Sequence, residues 1–340
     1  MGEESVDELG VSSPLGSAIV AVDPPGVDVG VVICAYTLDR WQCVCAAIDS
    51  VLGQSVAAAQ IVVVVDYNDE LFERLSVRSD EDDWQGVRVI TNEGARGLSD
   101  ARNSGVRHTS TTVVAFLDDD AVADNDWIRR LTDAYGLAGV RGVGGYVEAS
   151  WPDETRPYWF PAEFDWVVGC SYVGQPTAPE PVRNFIGANM SMLREDILAA
   201  NGFRTGVGRV GSNPLGCEET ELCIRIGEQH PGSQMLYDPD VRVVHSVHSD
   251  RTKVRYFFRR CYAEGLSKAL VSRHVGARAS LASERAYTRH VLPRGVRTRI
   301  TSAVVRPSSA KAQVLQAGMM AAGAVVTSAG YVRGRLARTA

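Results

Sequence analysis

Short apolar runs that alternate with helical segments constrain the fold of this chain most strongly. The runs are dominated by valine and isoleucine, and near-continuous runs of this kind are typical of strands covered on both faces. Strands that alternate with helices predict parallel β-α-β units, and therefore an α/β fold with a mostly parallel mixed sheet flanked by helices. The predicted strands are residues 29–35, 61–65, 86–90, 113–117 and 241–244, and the predicted helices are 41–52, 97–108, 194–200, 218–228 and 256–272.

The N-terminal residues 1–27 are polar, contain Gly and Pro, and are predicted to form a mostly disordered leader. They lack the positive start and the apolar stretch of a signal peptide. The 7 cysteines include no Cys-x-x-Cys pair, and an odd number argues against a complete disulfide framework. These features predict a cytoplasmic protein with reduced cysteines.

Charge divides the chain into an acidic body and a basic C-terminal part. Residues 251–340 carry 18 Lys and Arg against 2 Asp and Glu, whereas the rest of the chain carries 17 against 39. Such a basic segment indicates an anionic partner: a membrane surface, a nucleic acid or the acidic body itself. Residues 313–332 have about the length of a bilayer crossing, ~20 residues, but many Gly and Ala residues dilute their hydrophobicity. We predict an interfacial helix there, with a helix packed on the acidic body as the alternative.

Three consecutive aspartates, Asp118, Asp119 and Asp120, follow the predicted strand 113–117. Three carboxylates repel one another unless a cation lies among them, and Mg²⁺ typically binds one or two carboxylates together with substrate phosphates. The carboxyl ends of strands in open α/β sheets are also where ligands bind. The alternative is a solvated acidic turn that leads into a helix N-terminus, and the triplet alone does not separate the two interpretations.

Two further residues are candidates for nucleotide binding, although the chain has neither a Gly-x-Gly-x-x-Gly turn after its first strand nor a P-loop. Asp66 ends the strand 61–65 and could accept a hydrogen bond from a pyrimidine base, or cap a turn with Asn68 and Asp69. Arg102 follows a glycine turn and offers a fixed fork of donors, suited to a diphosphate or to a nearby aspartate.

The adjacent acids Glu218 and Glu219 stand near a predicted helix start, where acids also favour the helix dipole. If that helix begins in a cleft, one of them could act as a general base, because a nearby acid raises its pKa toward working pH. His245 directly follows the strand 241–244, and its neutral imidazole could complete the coordination of a cation. His248 is more typical of a structural histidine.

Taken in order, these segments resemble the inverting family-2 glycosyltransferases of the GT-A fold. The ordered set is more specific than any one motif, and it covers about residues 29–270. Residues 187–190, 218–222 and 259–269 most resemble glucuronosyltransferases that act on lipid-linked sugars. The matching stretches are 31–37, 61–66, 97–105, 116–120, 185–190, 218–222 and His245.

The resemblance implies a metal-dependent inverting transferase that uses Mg²⁺ or Mn²⁺. It would move a sugar from a nucleoside-diphosphate sugar, with UDP-sugars including UDP-glucuronate as the first candidates, to a hydroxyl of a glycan or lipid-linked acceptor. Residues 28–255 would form a single GT-A catalytic domain. Charge and composition, rather than the resemblance, predict that residues 256–340 form a basic helical tail at the inner face of the cell membrane. No nucleic-acid partner is expected, because the acidic body would repel phosphate.

The resemblance also implies roles for individual residues. Donor binding would involve Ala35, Tyr36, Thr37, Asp66, Arg102, Asp118 and Asp119; the metal would be held by Asp120 and His245; Glu219 or Glu218 would be the catalytic base; and Gly187, Ala188 and Asn189 would form the acceptor and sugar loop.

The chain departs from the family pattern at two places. Tyr67-Asn68-Asp69 replaces the usual Asn/Asp-Gly-Ser-x-Asp after the second strand. The family pattern therefore does not by itself identify the base and the sugar of the donor. A Glu-Glu pair replaces the usual Glu-Asp pair, so Glu218 and Glu219 both remain candidates for the base. A non-catalytic, membrane-docked nucleotide-sugar binding protein is the alternative from another class.

Overall fold

The fold is that of a computed structural model, which describes residues 26–209 and 215–337. The predicted leader 1–27 lies outside the described residues except for its last two positions, and the middle of the predicted loop 202–216 also lies outside them. The strands are β1 Val29–Ala35, β2 Gln60–Val65, β3 Val87–Thr91, β4 Val113–Asp118, β5 Ala121–Ala123, β6 Val140–Ser150, β7 Glu180–Val182, β8 Asn189–Leu193 and β9 Gln234–Ser246. The helices are α1 Trp41–Leu52, α2 Asp69–Ser79, α3 Leu98–Arg107, α4 Trp127–Tyr135, α5 Arg194–Ala199, α6 Glu218–Gln229, α7 Val254–Val275, α8 Ala277–Ser280, α9 Ala282–Ala286, α10 Leu292–Val305 and α11 Ala310–Leu336.

The strands form one sheet in the order β3-β2-β1-β4-β8-β6-β9-β5, with β7 added beside β9. The first four strands of this order are mutually parallel, as the β-α-β pattern predicted. Beyond β4 the sheet is mixed, because β8 runs antiparallel to both β4 and β6 whereas β6 and β9 are parallel. The prediction of a mixed α/β sheet flanked by helices is confirmed, with its parallel part confined mainly to the N-terminal half.

Both faces of β1, β2 and β4 are buried, which explains their continuous apolar sequences, whereas the edge strand β3 is partly exposed. Alternate residues point to opposite sides: Ile33 packs in the core with α1, whereas Val32 packs in the core with α3. Close approach of α3 requires a glycine, because a Cβ on Gly105 would overlap the side chain of Val32. The sheet is therefore enclosed between α1 and α3, and its carboxyl ends are left open.

The strand β6 was not predicted from the sequence, because glycines interrupt its apolar pattern. Its glycines are required by close packing: a Cβ on Gly144 would overlap the Phe185 ring, and a Cβ on Gly145 would overlap the backbone of Val241. Because these positions must be glycine to let neighbouring backbones approach, the strand lacks the alternation of apolar and polar residues that would identify it in the sequence.

The C-terminal helices pack on the body rather than standing apart from it. Phe257 of α7 is fully buried and contacts the rings of Phe160 and Phe164, at 5.4 and 5.3 Å between centroids. In turn α11 packs on α7 with the backbones in contact at Gly265 and Gly330, where a Cβ on either residue would overlap the facing main chain. The opposite side of α11 is exposed.

One helical stretch of the described residues, Pro307–Leu336, has the length and composition of a membrane-crossing helix. The most apolar 18-residue window of this stretch has a mean hydropathy of 1.2, and 11% of that window is buried inside the protein.

Candidate active site

A cleft of about 720 Å³ opens at the carboxyl ends of β1, β2 and β4. The register aligns Ala35 of β1 with Val65 of β2, and Cys34 with Asp118 of β4, so residues that follow these strands converge. The start of α6 and part of α7 form the opposite wall. Of the predicted site residues, the cleft is lined by Ala35, Tyr36, Asp66, Arg102, Asp118, Asp119, Asp120, Gly187, Ala188, Glu218, Glu219 and His245.

The aspartate triplet is not a solvated turn, because Asp119 and Asp120 are 4% and 5% exposed. Arg40 forms ion pairs with both, at 2.7 Å to Asp119 Oδ1 and 3.0 Å to Asp120 Oδ2. The pairing of β5 with β9 brings His245 to the triplet, and its Nε2 lies 3.1 Å from Asp120 Oδ1. Arg251 lies 3.5 Å from the other oxygen of Asp120.

Electrostatics within this cluster shift several pKa values. Burial raises the pKa of Asp120, but the charges of His245, Arg40 and Arg251 outweigh burial and hold this pKa below its ordinary value. Burial lowers the pKa of His245, but the Asp120 carboxylate outweighs it and raises the pKa to about 10. Burial and the adjacent carboxylates raise the pKa of Asp119 against the opposing effect of Arg40.

Asp118, Asp120 and His245 form a group able to ligate a cation, provided that His245 releases its proton when the cation binds. One potential ligand atom of each residue lies within 4.8 Å of those of the other two. Two carboxylates and an imidazole make a donor set compatible with a divalent ion, and the dominance of oxygen favours Mg²⁺ or Mn²⁺.

Arg102 lies under the cleft and connects its two walls. Its guanidinium donates to Glu218 Oε1 at 2.8 Å, to Asp118 Oδ1 at 3.2 Å and to the Gly187 carbonyl at 2.9 Å. The side chain is 2% exposed and lies between the rings of Phe116 and Phe203, which are 5.8 and 5.5 Å from its Cζ. The guanidinium N–H groups of Arg102 therefore serve mainly to hold carboxylates in place. This arrangement corresponds to the second alternative given for Arg102 in the sequence analysis, an ion pair with a nearby aspartate.

The two candidate bases occupy different environments. Glu218 is 4% exposed, and one of its oxygens is held by Arg102. Glu219 is half-buried, lines the cleft, and accepts a hydrogen bond from the Thr220 hydroxyl at 3.2 Å. Burial and the charge of Glu218 raise the pKa of Glu219 to about 7. Of the two, Glu219 therefore has the accessibility and the basicity suited to general-base catalysis.

The predicted donor-binding residues at β1 and β2 have distinct surroundings. Both oxygens of Asp66 accept from the Gly97 amide, at 3.2 and 3.0 Å, and one also accepts from Asn92 at 2.7 Å, rather than capping a turn with its sequence neighbours. Tyr36 lines the cleft with Arg40 5.6 Å from its ring centre. Thr37 lies outside the lining and instead caps a short turn by accepting from the Asp39 amide at 3.2 Å.

Asn189 is separated from the other residues of the predicted acceptor loop. It is fully buried within the sheet, where Nδ2 donates to the carbonyls of Tyr146 and Val241 at 3.1 and 2.8 Å, and Oδ1 accepts from Trp127 at 2.8 Å. Gly187 and Ala188 line the cleft. The side chain of Asn189 thus joins three parts of the fold and does not line the cleft.

Several basic residues of the cleft were not among the predicted site residues, although Arg260 lies in the stretch 259–269 that carries the narrower resemblance. Arg40 follows the first strand, Arg209 lies in the loop before α6, and Arg251 and Arg260 enter from the C-terminal segment. Burial lowers the pKa of Arg209, and the nearby positive charges of Arg251 and Arg260 lower it further. The sequence did show that the start of α7 is rich in basic residues. It did not show that some of these side chains reach the cleft, because that depends on how α7 packs on the rest of the protein.

Structural comparisons place the fold among the glycosyltransferases. A mannosyltransferase from Pyrobaculum calidifontis, solved in complex with GDP-Man and Mn²⁺, superposes with a TM-score of 0.57 at 16% identity, over 92% of this chain and 90% of that one. GalNAc-T7, solved with UDP, GalNAc and Mn²⁺, superposes with a TM-score of 0.51 at 17% identity, over 74% of this chain and 50% of that one. The fold is therefore of the GT-A type, as predicted.

Sequence comparisons define the family. The family model described as glycosyl transferase family 2 matches residues 30–198. A glucosyl-dolichyl phosphate glucuronosyltransferase of Haloferax volcanii is 35% identical over 309 residues, which cover 91% of this chain and 96% of that protein. The chain belongs to glycosyl transferase family 2, and it is a glycosyltransferase. The narrower resemblance to glucuronosyltransferases of lipid-linked sugars is confirmed by this relative.

Proposed function

We propose that the chain transfers a sugar, with inversion, from a nucleoside-diphosphate sugar to a hydroxyl of a lipid-linked acceptor. The observation that supports the proposal is that one cleft holds two features. They are a group of residues able to ligate a cation, and the half-buried carboxylate of Glu219, which forms no ion pair with an arginine among the described residues. The relative named above is a glucuronosyltransferase acting on a glucosyl-dolichyl phosphate. Glucuronate and a glycosylated isoprenoid phosphate are therefore the sugar and the acceptor to test first.

Divalent-cation binding is part of the proposal, with Asp118, Asp120 and His245 as the ligands. When bound, Mg²⁺ or Mn²⁺ supplies positive charge to the departing diphosphate. The protein adds its own positive charge from Arg209 and Arg251, which line the same cleft. Arg209 has no ion pair among the described residues that an anion would need to displace.

The base of the reaction is Glu219 in this proposal. Its carboxylate removes the proton from the acceptor hydroxyl while that oxygen attacks the anomeric carbon, and the nucleoside diphosphate leaves from the opposite face. A single displacement of this kind needs one base and no covalent enzyme intermediate. Arg102 acts as a positioning residue, because it holds Glu218 and Asp118 on the two walls of the cleft.

Attachment to an anionic membrane surface is also proposed, at the cytoplasmic side. Exposed apolar residues of α10 and α11 lie among arginines, for example Val304 at 77% exposure near Arg306. Apolar burial at the interface combined with attraction to anionic lipids is the usual basis for peripheral binding.

The experiment that tests the function is a panel of UDP- and GDP-sugars, each measured by protection against thermal unfolding with Mg²⁺, with Mn²⁺ and with excess chelator. The protecting donor is then incubated with a glucosylated isoprenoid phosphate, and the product is identified by mass spectrometry. We expect protection by a UDP-sugar that the chelator abolishes and that Asp120→Asn abolishes. Equal protection in chelator, or no transfer with any protecting donor, would overturn the proposal.

A further inference from the structure

A second apolar cavity lies between α10 and α11, beside the catalytic cleft. Its volume is about 690 Å³, and it is open toward solvent along one side. Apolar side chains from both helices form most of its surface. These include Leu292, Val296, Ile300, Met320, Ala321 and Ala324.

This groove adjoins the catalytic cleft. Thr288, Leu292, Ala324 and Ser328 line both spaces, so they form a shared boundary between them. A ligand with a polar head in the cleft would therefore need to pass only these four side chains to extend a tail into the groove.

The chemistry of the lining restricts what the groove can accept. Its three hydroxyls already donate to helix carbonyls: Thr288 to Glu284 at 2.8 Å, Thr301 to Arg297 at 2.8 Å and Ser328 to Ala324 at 2.8 Å. A peptide in such a groove would lose hydrogen bonds to water without replacing them, which is unfavourable. A hydrocarbon chain needs no hydrogen bonds and gains from apolar burial.

The outer end of the groove opens onto the apolar side of the C-terminal helices. Ile300, which lines the groove, is 54% exposed, and Val304 one turn later is 77% exposed. Arg297 also lines the groove and adds positive charge beside the apolar surface. This arrangement suits a chain that runs from the cleft into a bilayer with anionic headgroups.

We propose that the groove between α10 and α11 holds the isoprenoid chain of the lipid-linked acceptor. The inference rests on the proposed function and specifies where the lipid part of the substrate binds. The phosphate and sugar of the acceptor lie in the cleft, and the first isoprene units occupy the groove. The remainder of the chain continues into the membrane.

The test compares two identical substitutions on α11. Ala321→Trp fills the groove, because Ala321 lines it. Ala329→Trp is the matched control, because Ala329 is also exposed on α11 but does not line the groove. Binding of a fluorescent farnesyl phosphate is measured by anisotropy, and binding of the nucleotide UDP is measured separately for each variant.

We expect Ala321→Trp to raise the Kd for farnesyl phosphate about tenfold or more, since two displaced methylene groups correspond to roughly that change. The control should bind the probe like the unmodified chain, and both variants should bind UDP normally. Equal farnesyl phosphate affinity in both variants, whether retained or weakened, would overturn the proposal.

The result also separates this inference from the proposed function. Groove-dependent binding of farnesyl phosphate without any sugar transfer would leave the groove established and the transferase proposal refuted. Sugar transfer to a long-chain acceptor that is equally fast in both variants would support the transferase proposal and refute the groove.

Discussion

The guanidinium of Arg102 donates to the carboxylate of Glu218 at 2.8 Å, and the two side chains are 2% and 4% exposed. This contact joins α3 to the first turn of α6. Since Arg102 also reaches Asp118 at 3.2 Å, it connects the carboxyl end of β4 to the first turn of α6. It also distinguishes Glu218, which is paired with Arg102, from the adjacent Glu219, which is the base in our proposal.

The first prediction concerns the base. Glu219→Gln should lower the transfer rate by about 10²–10⁴-fold, the range for loss of a general base, with nucleotide affinity unchanged. Turnover and nucleotide binding are measured by product formation and calorimetry. Glu228→Gln, at an exposed position of α6, is the control and should behave like the unmodified chain. A Glu219→Gln variant with normal turnover would show that the base is elsewhere.

The pH dependence follows from the environment of Glu219. Burial and the charge of Glu218 raise the pKa of Glu219 to about 7. A general base works in its ionised form, so kcat/KM should fall about tenfold per pH unit below this value and level off above it. Residual activity of Glu219→Gln should lack this ascending limb. An unchanged limb in that variant would assign the titration to another group.

The buried ion pair predicts a stability effect. Arg102→Met leaves Glu218 without its partner and should lower the free energy of unfolding by about 3–5 kcal/mol. Glu218→Gln in the same background removes the stranded charge, so the double variant should be more stable than Arg102→Met alone. Urea denaturation of both single variants and the double variant measures the coupling. Strictly additive losses would contradict a direct pairing.

The contact between α7 and α11 predicts opposite effects of one substitution at two glycines. Gly265→Ala places a Cβ against the Thr327 backbone oxygen and should destabilise the protein by about 1–3 kcal/mol. Gly318→Ala meets no atom within 4 Å on α11 and should stabilise by about 0.5–1 kcal/mol, because alanine favours the helix. Thermal unfolding of the two variants is the measurement. A neutral Gly265→Ala would mean that the two helices are not in backbone contact.

The parallel half of the sheet was predictable because its signals are local. The strand β1 and the helix α1 begin and end at the predicted residues, and β2 and β4 differ by one residue at one end. Strands buried on both faces carry continuous Val and Ile runs that need no tertiary information. By contrast β6 and β8 were not predicted, since glycines and an asparagine in them serve contacts with other strands.

The candidate site was predictable as a set of residues but not as a set of partners. The ordered motifs identified Asp118, Glu219 and His245, which all line the cleft. They did not reveal that Arg40 pairs with the aspartates or that Asn189 is turned into the sheet. Pairing of this kind depends on which elements are adjacent in space, and sequence order does not specify it.

The sequence by itself determined the α/β class, the family and the acidic strand end, because period, composition and ordered motifs are properties of the linear chain. Only the tertiary structure showed that Glu218 and Glu219 occupy different environments, since Arg102 lies 116 positions away from the glutamate with which it pairs. The same holds for the basic C-terminal helices. Their charge was visible in the sequence, but packing of α7 and α11 decided that one face borders the cleft while the other remains apolar and exposed.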